Sequence, residues 1–227
     1  MTADRPARTT LEVEAVLFDM DGTLVDSTRV VEDLWAVFAA RHGLVLADLL
    51  AYSHGRRTRD TLARFLPPGH DIEAVAKELE RTEADRVEGI TEIPGARRLL
   101  EALRGARTAV VTSAPRDLAE VRLAAAGLPA PEVLVCAEDV AAGKPDPSGY
   151  RDAAARLGAA PDRCLVLEDA DAGIRAGVAS GARTLVVGAH RSPATRDLDR
   201  VPDLRVVEVS VLDGGAARLT WPGTAAR

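Results

Sequence analysis

Apolar runs at residues 13–18, 108–112, 133–136, 164–167 and 184–187 recur along this chain, and they restrict its fold more than any other feature. Each is four to six residues long and rich in Val and Leu. Short runs without sustained polar alternation suit parallel strands buried on both faces. Helical patterns lie between them. Ala96, Leu99, Leu100 and Leu103 fall at the i, i+3, i+4 and i+7 positions of one buried face. Leu118, Val121, Arg122 and Ala125 keep that spacing less closely, and Tyr150, Ala154 and Leu157 form another face that Gly158 terminates. Strands and helices in alternation read as βαβ units. The expected fold is therefore α/β, a Rossmann-like parallel sheet with helices on both faces. A weaker last strand is expected over residues 204–209, interrupted by Arg205 and Glu208.

One segment departs from the alternation. Residues 28–93 carry helical faces instead: Val31, Leu34, Trp35 and Phe38; then Leu62, Phe65 and Leu66; then Ile72, Val75, Ala76 and Leu79. A small helical cap domain inserted after the first strand is expected, with hinges at Asp26-Ser27-Thr28 and Ile93-Pro94-Gly95. An insertion there suits a lid over the strand ends, where α/β sheets bind their ligands. The organisation is then a catalytic core at 11–27 and 94–212, a cap at 28–93, and a loose tail at 213–227 in which Trp221 offers a ring for docking.

With 227 residues the chain is long enough for one large α/β unit and a smaller insertion. Its net charge of −6 argues against general nucleic-acid binding, which needs a basic face. A phosphorylated small molecule stays compatible, because a divalent cation and a lysine can reverse the sign inside one cleft. No apolar stretch approaches a membrane span, and the first ten residues lack the apolar segment of a secretory signal. Cys136 and Cys164 sit in apolar runs that suggest strand packing rather than a disulfide framework. A cytoplasmic protein without a membrane partner is expected, and no exposed apolar stripe points to a particular oligomeric state.

The strongest chemical signal is Phe18-Asp19-Met20-Asp21-Gly22-Thr23, at the end of the first apolar run. Two carboxylates leaving a buried strand together are costly unless a cation or proton compensates them. By itself, Asp-Gly also suits a turn or a helix cap. Lys144 adds weight, since it and Lys77 are the only lysines in a chain that otherwise uses Arg. A Lys between Gly143 and Pro145 suggests a need for a compact ammonium, although a loop lysine alone reads as a surface residue.

Residues 17–27 (LFDMDGTLVDS) resemble the first motif of the haloacid-dehalogenase-like hydrolase superfamily. Thr112 at the end of AVVTSA resembles the second motif, and Lys144 in GKPDP the third. Glu168-Asp169 in LVLEDADAGIRAGVASGA resembles the fourth, so the likeness runs from about residue 13 to 190. The resemblance implies Mg²⁺ held by the side chains of Asp19 and Asp169 and by the backbone carbonyl of Asp21. It implies that Asp19 attacks phosphorus, while Asp21 serves as general acid and then base. Thr112 and Lys144 would hold the phosphoryl oxygens, with backbone N–H groups near Ser113 and Ala114 adding to the phosphate site. Glu168 is either a metal ligand or a group that tunes Lys144 or the water shell. Gly173, Gly177 and Gly181 read as structural.

Asp21 favours phosphoryl transfer, because the carbon–halogen-cleaving members lack this second Asp as a family pattern. Phosphosugar mutases of the family carry a cap His where this chain has Val31. The phosphonate-cleaving branch uses a cap lysine, and the cap lysine here, Lys77, lies in a charged helical stretch. Residues 52–58 (YSHGRRT) resemble the branch containing 2-deoxyglucose-6-phosphate and glycerol-phosphate phosphatases. That likeness puts His54, Arg57 and Thr58 in a cap loop facing the substrate, where they would read sugar or polyol hydroxyls. The plainer alternative is a helix N-cap at Thr58 with a surface Arg. The expectation is a Mg²⁺-dependent phosphatase for a small sugar or polyol phosphate. The alternatives are a phosphosugar mutase, a phosphatase for a biosynthetic intermediate, and a catalytically silent scaffold, against which the intact motif set argues.

Overall fold

The computed structural model describes residues 8–223. Residues 1–7, within the stretch read as lacking a secretory signal, and 224–227, at the end of the expected tail, lie outside the described residues. The chain starts with β1 (Arg8–Val13), β2 (Ala15–Phe18) and β3 (Val25–Asp26). Four helices follow: α1 (Thr28–His42), α2 (Leu46–Ser53), α3 (Thr58–Phe65) and α4 (Ile72–Ala84), closed by β4 (Thr91–Glu92). Next come α5 (Ala96–Ala102), β5 (Thr108–Val111), α6 (Arg116–Ala125), β6 (Val133–Val135) and α7 (Ser148–Arg156). The remaining elements are β7 (Cys164–Glu168), α8 (Asp171–Ser180), β8 (Arg183–Val187), β9 (Arg200–Val201), β10 (Glu208–Val211) and β11 (Ala217–Pro222).

The main sheet has the order β6-β5-β2-β7-β8-β9, with parallel pairing throughout. Successive residues of each strand face opposite layers, as pleating requires. Val16, Phe18, Val110, Leu165 and Leu167 pack with Leu99 of α5, Leu103 just after it, and Leu118 and Leu123 of α6. Ala15, Leu17, Ala109, Val111 and Val166 pack on the other side with Tyr150, Ala154 and Ala176 of α7 and α8. The short apolar runs are thus strands covered on both faces. Helices α1–α4 bury a separate cluster around Trp35, Phe38, Leu49, Leu62, Leu66 and Ala76. Gly43, in a left-handed conformation, ends α1, while the Asp71 carboxylate accepts the Ala74 N–H to start α4. The chain leaves and re-enters the core through the antiparallel pair β3–β4, with Val25 opposite Glu92 and Asp26 opposite Thr91.

Three expectations need correction. The run 13–18 is two strands, because the chain bends at Glu14 and sends Val13 into a second sheet. The strand expected at 204–209 is a 3₁₀ turn, Leu204–Val206, followed by β10. The expected loose tail holds β11, which pairs antiparallel with β1 and β10. In β11, Ala217, Leu219 and Trp221 are buried while Arg218 is exposed, the alternation of a strand with one wet face. Its partner β1 lies at the opposite end of the sequence, so no local pattern announces the pairing. Trp221 is 2% exposed, and its Nε1–H donates to Asp199 Oδ2 at 3.1 Å. Trp221→Ala should therefore destabilise the fold by about 3–5 kcal/mol, read from the midpoint of denaturant unfolding. A loss below about 1 kcal/mol would show that β11 is not part of the cooperative unit.

Candidate active site

Parallel strands place their carboxyl ends together, and the register here brings distant acidic residues to one spot. Asp19 follows β2, with its N–H bonded to Leu167 O at 3.0 Å. Thr112 follows β5, with its N–H bonded to Val135 O at 2.9 Å. Glu168 ends β7 and Asp169 follows it. The turn after Asp21 passes so close to Asp169 that a Cβ on Gly22 would lie 2.1 Å from Asp169 Oδ2, and Gly22 has φ +88°. Only glycine suits both conditions. Thr23 Oγ1 donates to Asp169 Oδ1 at 3.2 Å and fixes that carboxylate.

Lys144 is the hub of the cluster. Its buried ammonium donates to the Asp19 carboxylate, to Glu168 Oε1 at 2.7 Å and to Val111 O at 3.2 Å, which uses its three donors. Glu168 is fully buried and accepts from Lys144 and from Tyr150 OH (2.9 Å) on Oε1. Its Oε2 accepts the N–H groups of Asp169 (2.9 Å) and Ala170 (3.1 Å). Although oxygens of Asp19, Glu168 and Asp169 come within 4.8 Å of one another, four donors occupy the roughly four lone-pair sites of Glu168. Its geometry favours holding Lys144 and the following turn over binding a metal. A Cβ on Gly173 would lie 1.5 Å from Glu168 Oε1, so this glycine of α8 makes room for the carboxylate.

Three carboxylates face one ammonium here. Burial, reinforced by Glu168 and opposed by Lys144, pushes the Asp19 carboxyl up to about 8. Burial and the neighbouring Glu168 and Asp19 likewise raise Asp169 well above the carboxylate range. Burial works against the Lys144 charge, yet Asp19 and Glu168 carry its pKa above the usual lysine value. Two negative charges stay uncompensated when all three acids ionise. A hard divalent cation fits that deficit and these oxygen donors.

Asp19, Asp21, Thr112, Ser113 and Asp169 line a cavity roofed by Val31, Trp35, His54, Arg56, Thr58 and Glu83 from the helical insertion. Thr112 Oγ1 accepts the Ala114 N–H at 3.1 Å, which leaves its own hydroxyl hydrogen available. Ser113 Oγ donates to Gly55 O at 2.9 Å and ties core to insertion. His54 Nε2 lies 3.6 Å from Glu32 Oε1. Arg57 does not line this cavity, contrary to expectation. Its buried guanidinium is taken up by Asp60 (2.8 and 3.1 Å) and by the carbonyls of Val140 and Ala141. Arg56 stands in the wall instead, stacked 4.3 Å from the Tyr52 ring centroid and donating to Lys144 O at 3.3 Å. Pattern reading alone does not separate two adjacent arginines, because the helix start decides which one turns inward.

Sequence reasoning also missed Tyr150 and Arg122 as members of the site. Periodicity places both on helical faces, yet each carries a signal. A buried tyrosine hydroxyl and a charged residue on an apolar helix face both demand a polar partner.

Residues 13–181 match the sequence profile of the haloacid dehalogenase-like hydrolases. The chain is 43% identical over 196 residues to hexitol phosphatase A of Escherichia coli, spanning 84% of this chain and 91% of that protein. It is 34% identical over 200 residues to glycerol-1-phosphate phosphohydrolase 2 of Saccharomyces cerevisiae, with 83% and 78% covered. Its fold is similar to the crystal structure of a haloacid dehalogenase family hydrolase from Deinococcus radiodurans with bound phosphate and sodium. There the TM-score is 0.61 and the identity 34%, with 83% and 90% covered.

The raised acids give a signed pH effect. The folded metal-free protein binds the Asp19 proton more tightly than the unfolded chain does. That contribution to stability is fully present below the unfolded value of ~4 and is lost as pH rises towards the folded one. Added Mg²⁺ should offset the loss, so it should raise Tm more at pH 8 than at pH 5, measured by thermal unfolding against an EDTA control. Equal shifts at both pH values would show that no cation competes with these protons.

Proposed function

The chain belongs to the haloacid dehalogenase-like hydrolase family, and we propose that it is a Mg²⁺-dependent phosphatase for a small sugar or polyol phosphate, acting through an aspartyl-phosphate on Asp19. One observation carries this: Asp19, Asp21, Thr112 and Asp169 open onto a single cavity, and Lys144 is bonded to Asp19 beneath it. The side chains of Asp19 and Asp169 and the carbonyl of Asp21 would hold Mg²⁺. When bound, it supplies the charge neutralisation that a carboxylate needs to approach a phosphate dianion.

The protein's own groups do the rest. An Asp19 oxygen attacks phosphorus in line, and the bond to the leaving oxygen breaks as Asp21 gives that oxygen a proton. Asp21 then takes a proton from the water that cleaves the aspartyl-phosphate. Lys144 orients Asp19 and, on giving up one of its three bonds, joins Thr112 and the N–H groups near Ser113 in holding the phosphoryl oxygens. Residues 28–93 act as the cap, with His54, Arg56 and Thr58 reading substrate hydroxyls and Arg57 bracing the cap on the core. Val31 lines the cavity where the family's mutases carry a histidine, which supports phosphate release over phosphate return. The proposed setting is the cytoplasm, where Cys136 and Cys164, both unpaired and buried, would stay reduced. Among the described residues no helix is long and apolar enough to cross a bilayer.

Phosphate release should be strong with Mg²⁺ from sorbitol 6-phosphate, glycerol 1-phosphate or 2-deoxyglucose 6-phosphate, and weak from nucleoside monophosphates. EDTA or Asp19→Asn should lower it by a factor of about 10³ or more. Release that survives Asp19→Asn would rule out the covalent route.

A further inference from the structure

A buried arginine outside the family motifs grips Asp21. Arg122 lies on the apolar face of α6 beside Leu118, Ala119 and Leu123, and is 4% exposed. Its Nη1 donates to Asp21 Oδ2 at 3.0 Å, and its Nη2 donates to Glu83 Oε2 at 3.1 Å. Glu83 belongs to α4 of the helical insertion and is also buried. The other Asp21 oxygen, Oδ1, accepts from Ser27 Oγ at 2.6 Å. Asp21, Ser27, Glu83 and Arg122 all line the cavity that contains Asp19.

Burying a guanidinium costs several kcal/mol unless anions compensate it, so an ordinary helix–sheet contact at this site would use an apolar residue. What Arg122 supplies instead is a planar fork with fixed donor directions. One prong sets the Asp21 carboxylate. The other is anchored on Glu83, across the boundary between core and insertion. Ser27 and Arg122 together leave Asp21 little freedom to rotate.

The geometry points to Arg122 as a positioning residue for the reaction: anchored by Glu83, it holds the Asp21 carboxylate in place for proton transfer to the leaving oxygen and from the attacking water. This rests on the phosphatase reading, in which Asp21 gives a proton to the leaving oxygen and recovers one from water. Arg122 itself exchanges no proton and touches no reacting atom. A displaced Asp21 harms only leaving groups that need its proton. A polyol alkoxide needs it, whereas p-nitrophenolate leaves unaided.

The experiment compares kcat/KM for sorbitol 6-phosphate, ethyl phosphate and p-nitrophenyl phosphate in the Mg²⁺-loaded wild type, Arg122→Met and Arg122→Lys. This ratio reports steps up to leaving-group departure, so the shared dephosphorylation step does not mask the effect. Arg122→Met should lose about tenfold or more on both alkyl phosphates, within the range of general acid catalysis, and less than about threefold on p-nitrophenyl phosphate. Arg122→Lys keeps a cation between Asp21 and Glu83, so it avoids leaving them buried and unpaired. It should show the same split with a smaller loss. Equal losses on all three esters in Arg122→Lys would overturn the inference and leave Arg122 a structural residue. A loss on sorbitol 6-phosphate but not on ethyl phosphate would overturn it too, and would mark Arg122 as a reader of substrate hydroxyls. A wild type inert on sorbitol 6-phosphate but active on ethyl phosphate would overturn the polyol reading alone, and the split between ethyl and p-nitrophenyl phosphate would still decide this inference.

Discussion

The ammonium of Lys144 is the charge around which the site is arranged. It lies under the carboxyl ends of β2, β5 and β7, bonded to Asp19, Glu168 and the Val111 carbonyl. Removing it would leave buried carboxylates without compensation, a loss of about 3–5 kcal/mol for a broken buried pair. The surroundings serve this arrangement. Tyr150 satisfies Glu168 from α7, and its ring lies 5.2 Å from the Lys144 nitrogen. Gly173 leaves the space that Glu168 fills, and Gly22 lets the turn after Asp21 approach Asp169.

Polar ties fix the helical insertion over this centre. Ser113 reaches the Gly55 carbonyl, Arg56 reaches the Lys144 carbonyl, and Arg57 reaches those of Val140 and Ala141. Arg122 adds a charged tie to Glu83. The insertion keeps its own apolar cluster, adds Val30 and Ile90 to that of the core, and is tied to the core near the site by these hydrogen bonds and the Arg122–Glu83 ion pair. Such contacts set orientation more than they add stability, because each replaces bonds to water. An arrangement of this kind suits a roof that must be placed accurately over reacting groups.

Much of this was legible in the residues alone. The buried strands follow from short Val- and Leu-rich runs, and Asp19, Asp21, Thr112, Lys144 and Asp169 follow from motifs at their ends. Arg122 and Tyr150 were harder to read. Periodicity assigns a residue to a helix face without saying what that face meets. The choice between Arg56 and Arg57 depended on where α3 begins, and helix ends are weakly marked here because Arg57 makes no side-chain cap. The β1–β11 pairing joins residues such as Leu11 and Leu219, too far apart for any window of sequence to connect.

The sequence by itself determined five buried strands of the main sheet, the helical faces between them, and the chemical groups at those strands' ends. These depend on local periodicity and residue type, which act over a few residues. Tertiary structure alone decided which groups share a carboxylate or an ammonium: that Glu168 spends its oxygens on Lys144, Tyr150 and two backbone N–H groups, and that Arg122 bridges Asp21 to Glu83. Those pairings arise where separate elements pack, and burial makes each one obligatory, since a polar group removed from water must find its partner inside the fold.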